Sequence, residues 1–365
     1  MLIKDLLKSL ELYAPALLQE DYDNAGLITG NAQWNCTGVL ICLDATEAIV
    51  KEAIKKDCNL IVAHHPIVFR GLKKINGKNY VEKAVITAIK NDVAIYAIHT
   101  NLDNVIAGVN ARIADKLALT NRRILAPKQG LLQKLAVYVP HIHKPKLMEA
   151  LFAAGAGNIA NYSECSFSME GMGSFKANAK AHPFIGKPNE RHNEPESRLE
   201  VIFLAWLQGK VLAAMRQAHP YEEVAFDLYP LANTYQEVGS GLVGELKKPI
   251  ETVLFLENLK KIFKVPVVRH TRVLKKKLRK VAVCGGAGSF LTGTAIALEA
   301  DIFITSDIKY HEFFEADDRL VLADIGHYES EQFTIDLLFD VLKLNFPTFA
   351  VQKTALNSNP VRYLI

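Results

Sequence analysis

The sequence predicts a two-lobed α/β core with mainly parallel sheets, interrupted by an inserted βαββαβ domain. Three observations predict it. Short apolar, strand-like runs alternate with helix-period segments through the first third of the chain. Near Pro127 the rhythm changes to strand, helix, strand, strand, helix, strand, the order of the ferredoxin-like split unit. The first rhythm returns after about Leu231. The expected divisions are residues 1–126 for the first half of the core, 127–234 for the insert and 235–365 for the second half.

Size and composition bound the class. At 365 residues the chain is comfortable for two domains, and 50% hydrophobic with 22% charged residues is an ordinary globular balance. A net charge of +4 gives no footprint for nucleic acid, which is not an expected partner. Cys36, Cys42, Cys58, Cys165 and Cys284 include no Cys-x-x-Cys pair, so reduced thiols in a cytoplasmic protein are expected and a zinc ribbon is not. No apolar run reaches the roughly 18 residues a membrane span needs, so no membrane partner is expected.

In the first part of the core, Leu2, Ile3, Leu6, Leu7 and Leu10 recur at helical spacing. Their alternation with charges marks an amphipathic helix rather than a signal peptide. The loop Asp21–Leu27 leads into a short strand. Gly38–Leu43 is a strand with Asp44 at its end, and Thr46 can cap the helix whose Ile49, Val50, Ala53 and Ile54 share a face. Residues 59–63 form a strand that stops on His64, His65 and Pro66, because proline gives no N–H to a ladder. Helices over 81–91 and 107–119 flank a strand over 93–98, which ends on His99-Thr-Asn-Leu-Asp103.

The insert is expected to place strands at 132–139, 158–169, 199–205 and 224–229, and helices at 144–154 and 209–218. The polar stretch 176–198 reads as a loop or hairpin, and Ile202–Trp206 as core. In the second half a helix over 250–263 precedes strands at 265–270, 279–284, 301–305 and 320–325. A helix through Leu298 follows the second of these, one long helix carries Glu331, Ile335, Leu338 and Val341, and residues 347–351 close the sheet.

Adjacent side chains of a regular strand face opposite ways. At a strand end, His64 and His65 could therefore diverge towards two ions lying side by side; the alternative is a pair of solvated rings. His99, Asp103 and His327 also follow the carboxyl ends of predicted strands, the edge where open α/β sheets bind ligands. His327 and Glu331 are four apart at a helix start and share a face. Asp103 or Glu331 could bridge two ions, since a carboxylate has two oxygens. Three imidazoles and two carboxylates suit zinc, manganese or iron(II) rather than calcium.

Other residues carry two readings each. His99 is a candidate general base or ligand-orienting group, or else a satisfied strand-end histidine. Asp44, Asp307 and His311 could orient ligands or move protons, with helix capping as the alternative for Asp307. Gly285-Gly-Ala-Gly288 could cradle a phosphate, or serve tight strand-to-helix packing. The basic run Lys275–Lys280 could attract nucleic acid, or be the solvated flank of a strand.

His64-His65-Pro66, His99-Thr-Asn-Leu-Asp103 and Asp324-Ile-Gly-His327-Tyr-Glu-Ser-Glu331 together resemble the metal signature of the NGG-interacting-factor-3-like family. Its members are often named GTP cyclohydrolase 1 type 2 homologues. Ala156–Ala160, Met172–Phe175 and His219-Pro-Tyr-Glu-Glu-Val224 resemble the PII/CutA-like insert of its longer bacterial members, so the resemblance spans essentially the whole chain. It implies two divalent metal ions held by His64, His65, Asp103, His327 and Glu331, and a homohexameric ring whose sites face an internal cavity. Tyr22, Ala25 and Ser306 depart from the family pattern without removing a ligand.

The function expected first is a dinuclear metal-dependent hydrolase that acts on a nucleotide or phosphoester with metal-activated water. The ions are expected to be zinc, with iron or manganese as alternatives. The second reading is a non-catalytic metal-binding regulatory or metal-handling protein whose insert senses a small molecule. A DNA-binding protein has only the modest positive charge behind it.

Overall fold

A computed structural model of the chain describes residues 1–364. The chain divides into two compact units, Met1–Pro127 together with the chain from Gln236 on, and Lys128–Tyr235.

The first unit holds two sheets. In one, the spatial order is Gly26–Thr29, Ala94–Ala97, Leu60–His65, Val39–Asp44 and Val351–Lys353. All neighbours are parallel except Gly26–Thr29, which lies antiparallel to Ala94–Ala97. The inner strands are uninterrupted apolar runs because both faces are covered. Leu40, Cys42, Ile61, Ala63 and Ile95 pack under Ile49, Val50 and Ala53 of one helix and Ala84, Val85 and Ala88 of another. The strand that carries the histidine pair runs through both rings, with Asp44 and His65 in register.

The second sheet has the order Arg269–His270, Val321–Asp324, Ile302–Ser306, Lys277–Ala287, Gly239–Glu251 and Thr120–Pro127. Its three middle strands nearest the site are parallel. The other three join antiparallel, so this sheet is mixed and not mainly parallel as expected. For two of the three the reason is the insert. Thr120–Pro127 leaves the core and Gly239–Glu251 re-enters it, and the two pair directly without the helical crossover that parallel strands require. Neither strand was expected, since one opens Thr-Asn-Arg-Arg and the other carries three glycines and Lys-Lys-Pro.

Several boundaries move for local reasons. Ile250 and Glu251 complete a strand, and the helix expected from Ile250 is Thr252–Phe263, where the Glu251 carboxylate accepts from the Leu254 N–H at 2.7 Å. Only Arg269–His270 of the expected strand 265–270 pairs, since Pro266 cannot donate to a ladder. The long helix is two, His327–Glu331 and Thr334–Asn345. Thr46 occupies the helix start without a side-chain capping bond.

The second unit has the element order Leu132–Pro140, Lys144–Ala153, Ser166–Lys176, Arg191–Leu204, Gln208–Ala218 and Phe226–Leu231. Its four strands form one antiparallel sheet, in the order third-element strand, Arg191–Leu204, Leu132–Pro140, Phe226–Leu231. Leu135, Val137, Leu199, Val201 and Phe203 meet Leu147, Leu151, Val211 and Met215 of the two helices. The strand expected at 158–169 begins at Ser166, and half of the expected polar loop is strand from Arg191. Arg-His-Asn-Glu-Pro-Glu-Ser-Arg reads as loop because neither alternating face is apolar. Of the run 202–206 only Phe203 is buried, as strand alternation requires. No helix among the described residues is long and apolar enough to cross a membrane.

Candidate metal centre

The first unit brings His65, Asp103, His327 and Glu331 to the wall of one cavity of about 950 Å³, with the buried His64 within reach of Asp103 and Glu331. Carboxyl ends of the first sheet supply Asp44, His65 and, one turn beyond Ala97, His99 and the short helix Thr100–Asp103. Carboxyl ends of the second supply Gly285 and Gly286, Asp307, Asp324 and the helix His327–Glu331.

Glu331 stands at the centre. Its Oε2 lies 2.9 Å from His65 Nε2 and 3.1 Å from His327 Nε2, while Oε1 lies 3.8 Å from His64 Nε2. Three groups are tight enough to hold a metal ion: His64 with Asp103 and Glu331, His65 with His327 and Glu331, and His64 with His65 and His99. The His64 and His65 rings do not turn to opposite faces; their centroids are 4.9 Å apart. The His99 centroid lies 5.4 Å from each of them.

Each imidazole is fixed from behind. His64 Nδ1 donates to the Ile98 carbonyl at 2.9 Å, His65 Nδ1 to Asp44 at 2.8 Å, His99 Nδ1 to Asp23 at 2.8 Å and His327 Nδ1 to Asp307 at 2.7 Å. Donation from the outer nitrogen sets the tautomer and leaves the other nitrogen's lone pair for an ion, the usual backing of a metal-bound histidine. Asp44 and Asp307 thus orient the His65 and His327 rings. His311 does not line the cavity; it stacks on Phe314.

The electrostatics are those of a site built around positive charge. His64 is wholly buried, yet its Nε2 has no hydrogen-bond partner, and neither has Asp103 Oδ1, 3.6 Å away. A buried polar atom left unpaired costs about 1–3 kcal/mol, so two facing each other need an occupant between them. Burial, then the neighbouring Glu331 charge, pushes the Asp103 carboxyl up to about 7. Burial also disfavours a charged Glu331, but the His327 charge outweighs it and holds the carboxylate well below its usual range. His65 and His327 answer in kind. Burial lowers both, but Asp44 and Glu331 raise His65 to about 10, and Glu331 and Asp307 raise His327 to about 11. The donor set of imidazole nitrogens and carboxylate oxygens fits a borderline dication.

The glycine cluster belongs to this site. Gly286 has φ +64°, and a Cβ there would lie 2.4 Å from Glu331 Oε1. Glycine lets the strand end pass against the shared carboxylate. The basic run is an ion-paired flank, with Lys275 on Asp301 at 2.5 Å and Arg279 on Glu245 at 2.8 Å. Asp23, Ser358 and Asn359 escaped the sequence reading. Ser358 Oγ donates to Asp44 at 2.6 Å and Asn359 Nδ2 to Glu329 at 2.9 Å. Cys284 also lines the cavity, where burial pushes its thiol up and away from a reactive thiolate. All five cysteines are free.

Fold and site together define an α/β protein with buried histidine and glutamate groups that could hold a metal ion. The profile described as Duf34/NIF3 (NGG1p interacting factor 3) matches residues 1–360, and the chain belongs to that family. A relative from Halalkalibacterium halodurans, named GTP cyclohydrolase 1 type 2 homolog, is 41% identical over 319 residues, covering 87% of this chain and 86% of its own. The crystal structure of a Bacillus cereus protein related to NIF3 has TM-score 0.86 at 35% identity, covering 100% of this chain and 99% of its own. A Staphylococcus aureus crystal structure has TM-score 0.80 at 28% identity, with 100% and 99% covered.

Proposed function

We propose that the protein is a dinuclear metal-dependent hydrolase acting on a nucleotide or phosphoester. The observation that carries the reading is the pair of unpartnered buried atoms, His64 Nε2 and Asp103 Oδ1, at a site where Asp103 lines a cavity large enough for a small molecule. His64, Asp103 and Glu331 hold one position; His65, His327 and Glu331 hold the other, so the adjacent histidines serve different ions. Divalent ions there, zinc with iron or manganese as alternatives, would supply Lewis acidity and bring the pKa of water towards neutrality.

The remaining roles fall to the chain itself. Ile98 O, Asp44 and Asp307 keep the rings aimed, and Glu331 spans both positions with one oxygen for each. His99, held by Asp23, is the candidate proton carrier for the reacting group. The relatives' printed name suggests GTP as a nucleotide to try first. In this reading Lys128–Tyr235 is a ferredoxin-like, PII/CutA-like module, and the chain works in the cytoplasm as a homohexameric ring.

The test measures bound metal per chain by plasma mass spectrometry, and turnover of GTP and generic phosphoesters, in wild type, His64→Ala and Glu331→Ala. Two ions and turnover in wild type, both reduced in the variants, are expected. Two ions with no turnover across a broad panel would sink the hydrolase and leave a metal-binding regulatory protein. Full metal content in the variants would overturn the ligand assignment.

A further inference from the structure

We infer that Arg269 receives an anionic oxygen group of the substrate, a phosphate or a carboxylate, on the cavity wall beside His327. The inference rests on the reading of this cavity as a substrate site.

Among the described residues Arg269 is the only lysine or arginine lining the cavity. The lining carboxylates are mostly committed: Asp44 to His65, Asp307 to His327, Glu329 to Asn359 and Glu331 to two imidazoles. An anion arriving from solvent therefore meets one permanent protein cation, and that cation is held in place. Arg269 sits on a two-residue edge strand in register with Asp324. Its Nη2 donates to the Asp324 carboxylate and, at 3.1 Å, to the Ile308 carbonyl, and its guanidinium lies 5.4 Å from the Phe313 ring centroid.

The pair is lopsided. The Asp324 side chain is 5% exposed and that of Arg269 is 56% exposed. Asp324 has work without the arginine, since it also accepts from the Ile308 and Gly326 N–H groups at 3.1 and 3.0 Å. Those bonds fix the turns that carry Asp307 and His327. Holding Asp324 leaves more than half of the Arg269 side chain exposed, so the pairing does not use up the guanidinium. The bonds it makes among the described residues use one nitrogen of a rigid five-donor fork. Nε and Nη1 remain, and since Cδ lies between them each offers an anionic oxygen a separate charged hydrogen bond rather than one bidentate edge. Because Asp324 ties the guanidinium to the His327 turn, an anion bound there lies at a fixed offset from the outer metal position.

The experiment titrates inorganic phosphate and, separately, acetate into metal-loaded wild type, Arg269→Gln and Arg269→Lys by calorimetry, with metal content measured in each. Arg269→Gln is expected to weaken an oxyanion about 10–100-fold at unchanged metal content, as loss of charged hydrogen bonds would. Arg269→Lys keeps charge without the fork and should fall between. A loss confined to phosphate assigns a phosphate group, and one confined to acetate a carboxylate. Equal affinities in wild type and Arg269→Gln, or no binding of either anion by wild type, overturn the inference. If Arg269→Gln loses metal, Arg269→Lys decides, and unchanged affinity there overturns it too. Turnover is scored separately, so an inactive protein that still loses phosphate through Arg269→Gln keeps this inference and rejects the hydrolase.

Discussion

The two triads that share Glu331 differ in what stands behind each histidine. On the inner side His64 is fully buried and backed by a main-chain carbonyl, and its inward nitrogen faces an equally unpartnered Asp103 oxygen. On the outer side His327 is partly exposed and backed by the Asp307 carboxylate, which raises its basicity. A carbonyl fixes a ring without adding charge, whereas a carboxylate both fixes it and strengthens it as a donor. The inner position is therefore defined by burial and geometry, the outer by charge. The difference predicts that the inner site resists surface substitutions and that the outer one can be tuned.

Substitutions at the site can break or sharpen that contrast. Glu331→Gln should have the largest effect, because it touches both positions: if each triad holds an ion as proposed, bound metal is expected to fall to near zero. One protein ligand of a three-residue site carries roughly a third of its binding energy, on the order of 10²–10⁴-fold in affinity. Retention of one tight ion in this variant would mean the triads do not share the carboxylate. His64→Ala should empty the inner position and also open a buried cavity, with a cost of about 2–4 kcal/mol in denaturant melts of metal-free protein. His327→Ala should empty the outer position with much less effect on those melts, because the ring is partly solvated. Equal melts for the two variants would erase the contrast between them.

Asp307→Asn should weaken the outer ion by about 10–100-fold and spare the inner one, read by competition with a chromophoric chelator. The smallest expected effect concerns Asp23. Burial opposes its charge, but bonds from His99 and Thr100 lower its carboxyl to about 2. A depressed acid stabilises the fold above its unfolded value and loses that contribution as pH falls through its folded value. Wild type should therefore lose about 1–2 kcal/mol relative to Asp23→Asn between roughly pH 4 and 2. Parallel melting curves in that window would show that the Asp23–His99 pair is not formed.

The imidazoles and carboxylates that cluster in the fold were legible in the sequence where they end a strand or share a helix turn. His64, His65, His99, Asp103, His327 and Glu331 all obey such local rules. Their supports were not. Asp23 meets His99 across 76 residues and Ser358 meets Asp44 across 314, with no period to announce either contact. The first sheet was readable because its strands are continuously apolar, and the strands beside the insert were not, because they are half polar and glycine-rich. Gly286 was visible as part of a cluster, but the carboxylate that demands a glycine there comes from another element.

His65 and Glu331 are 266 residues apart. At about 5–20 residues per second of synthesis, roughly 15–50 s separate the emergence of the first ligand from that of the last. Throughout that interval the early histidines and Asp103 lack the carboxylate that joins them, so neither triad can close on the growing chain. On the proposed reading, metal loading is thus tied to completion of nearly the whole polypeptide, and a chain truncated before Glu331 should leave the ribosome without either complete triad.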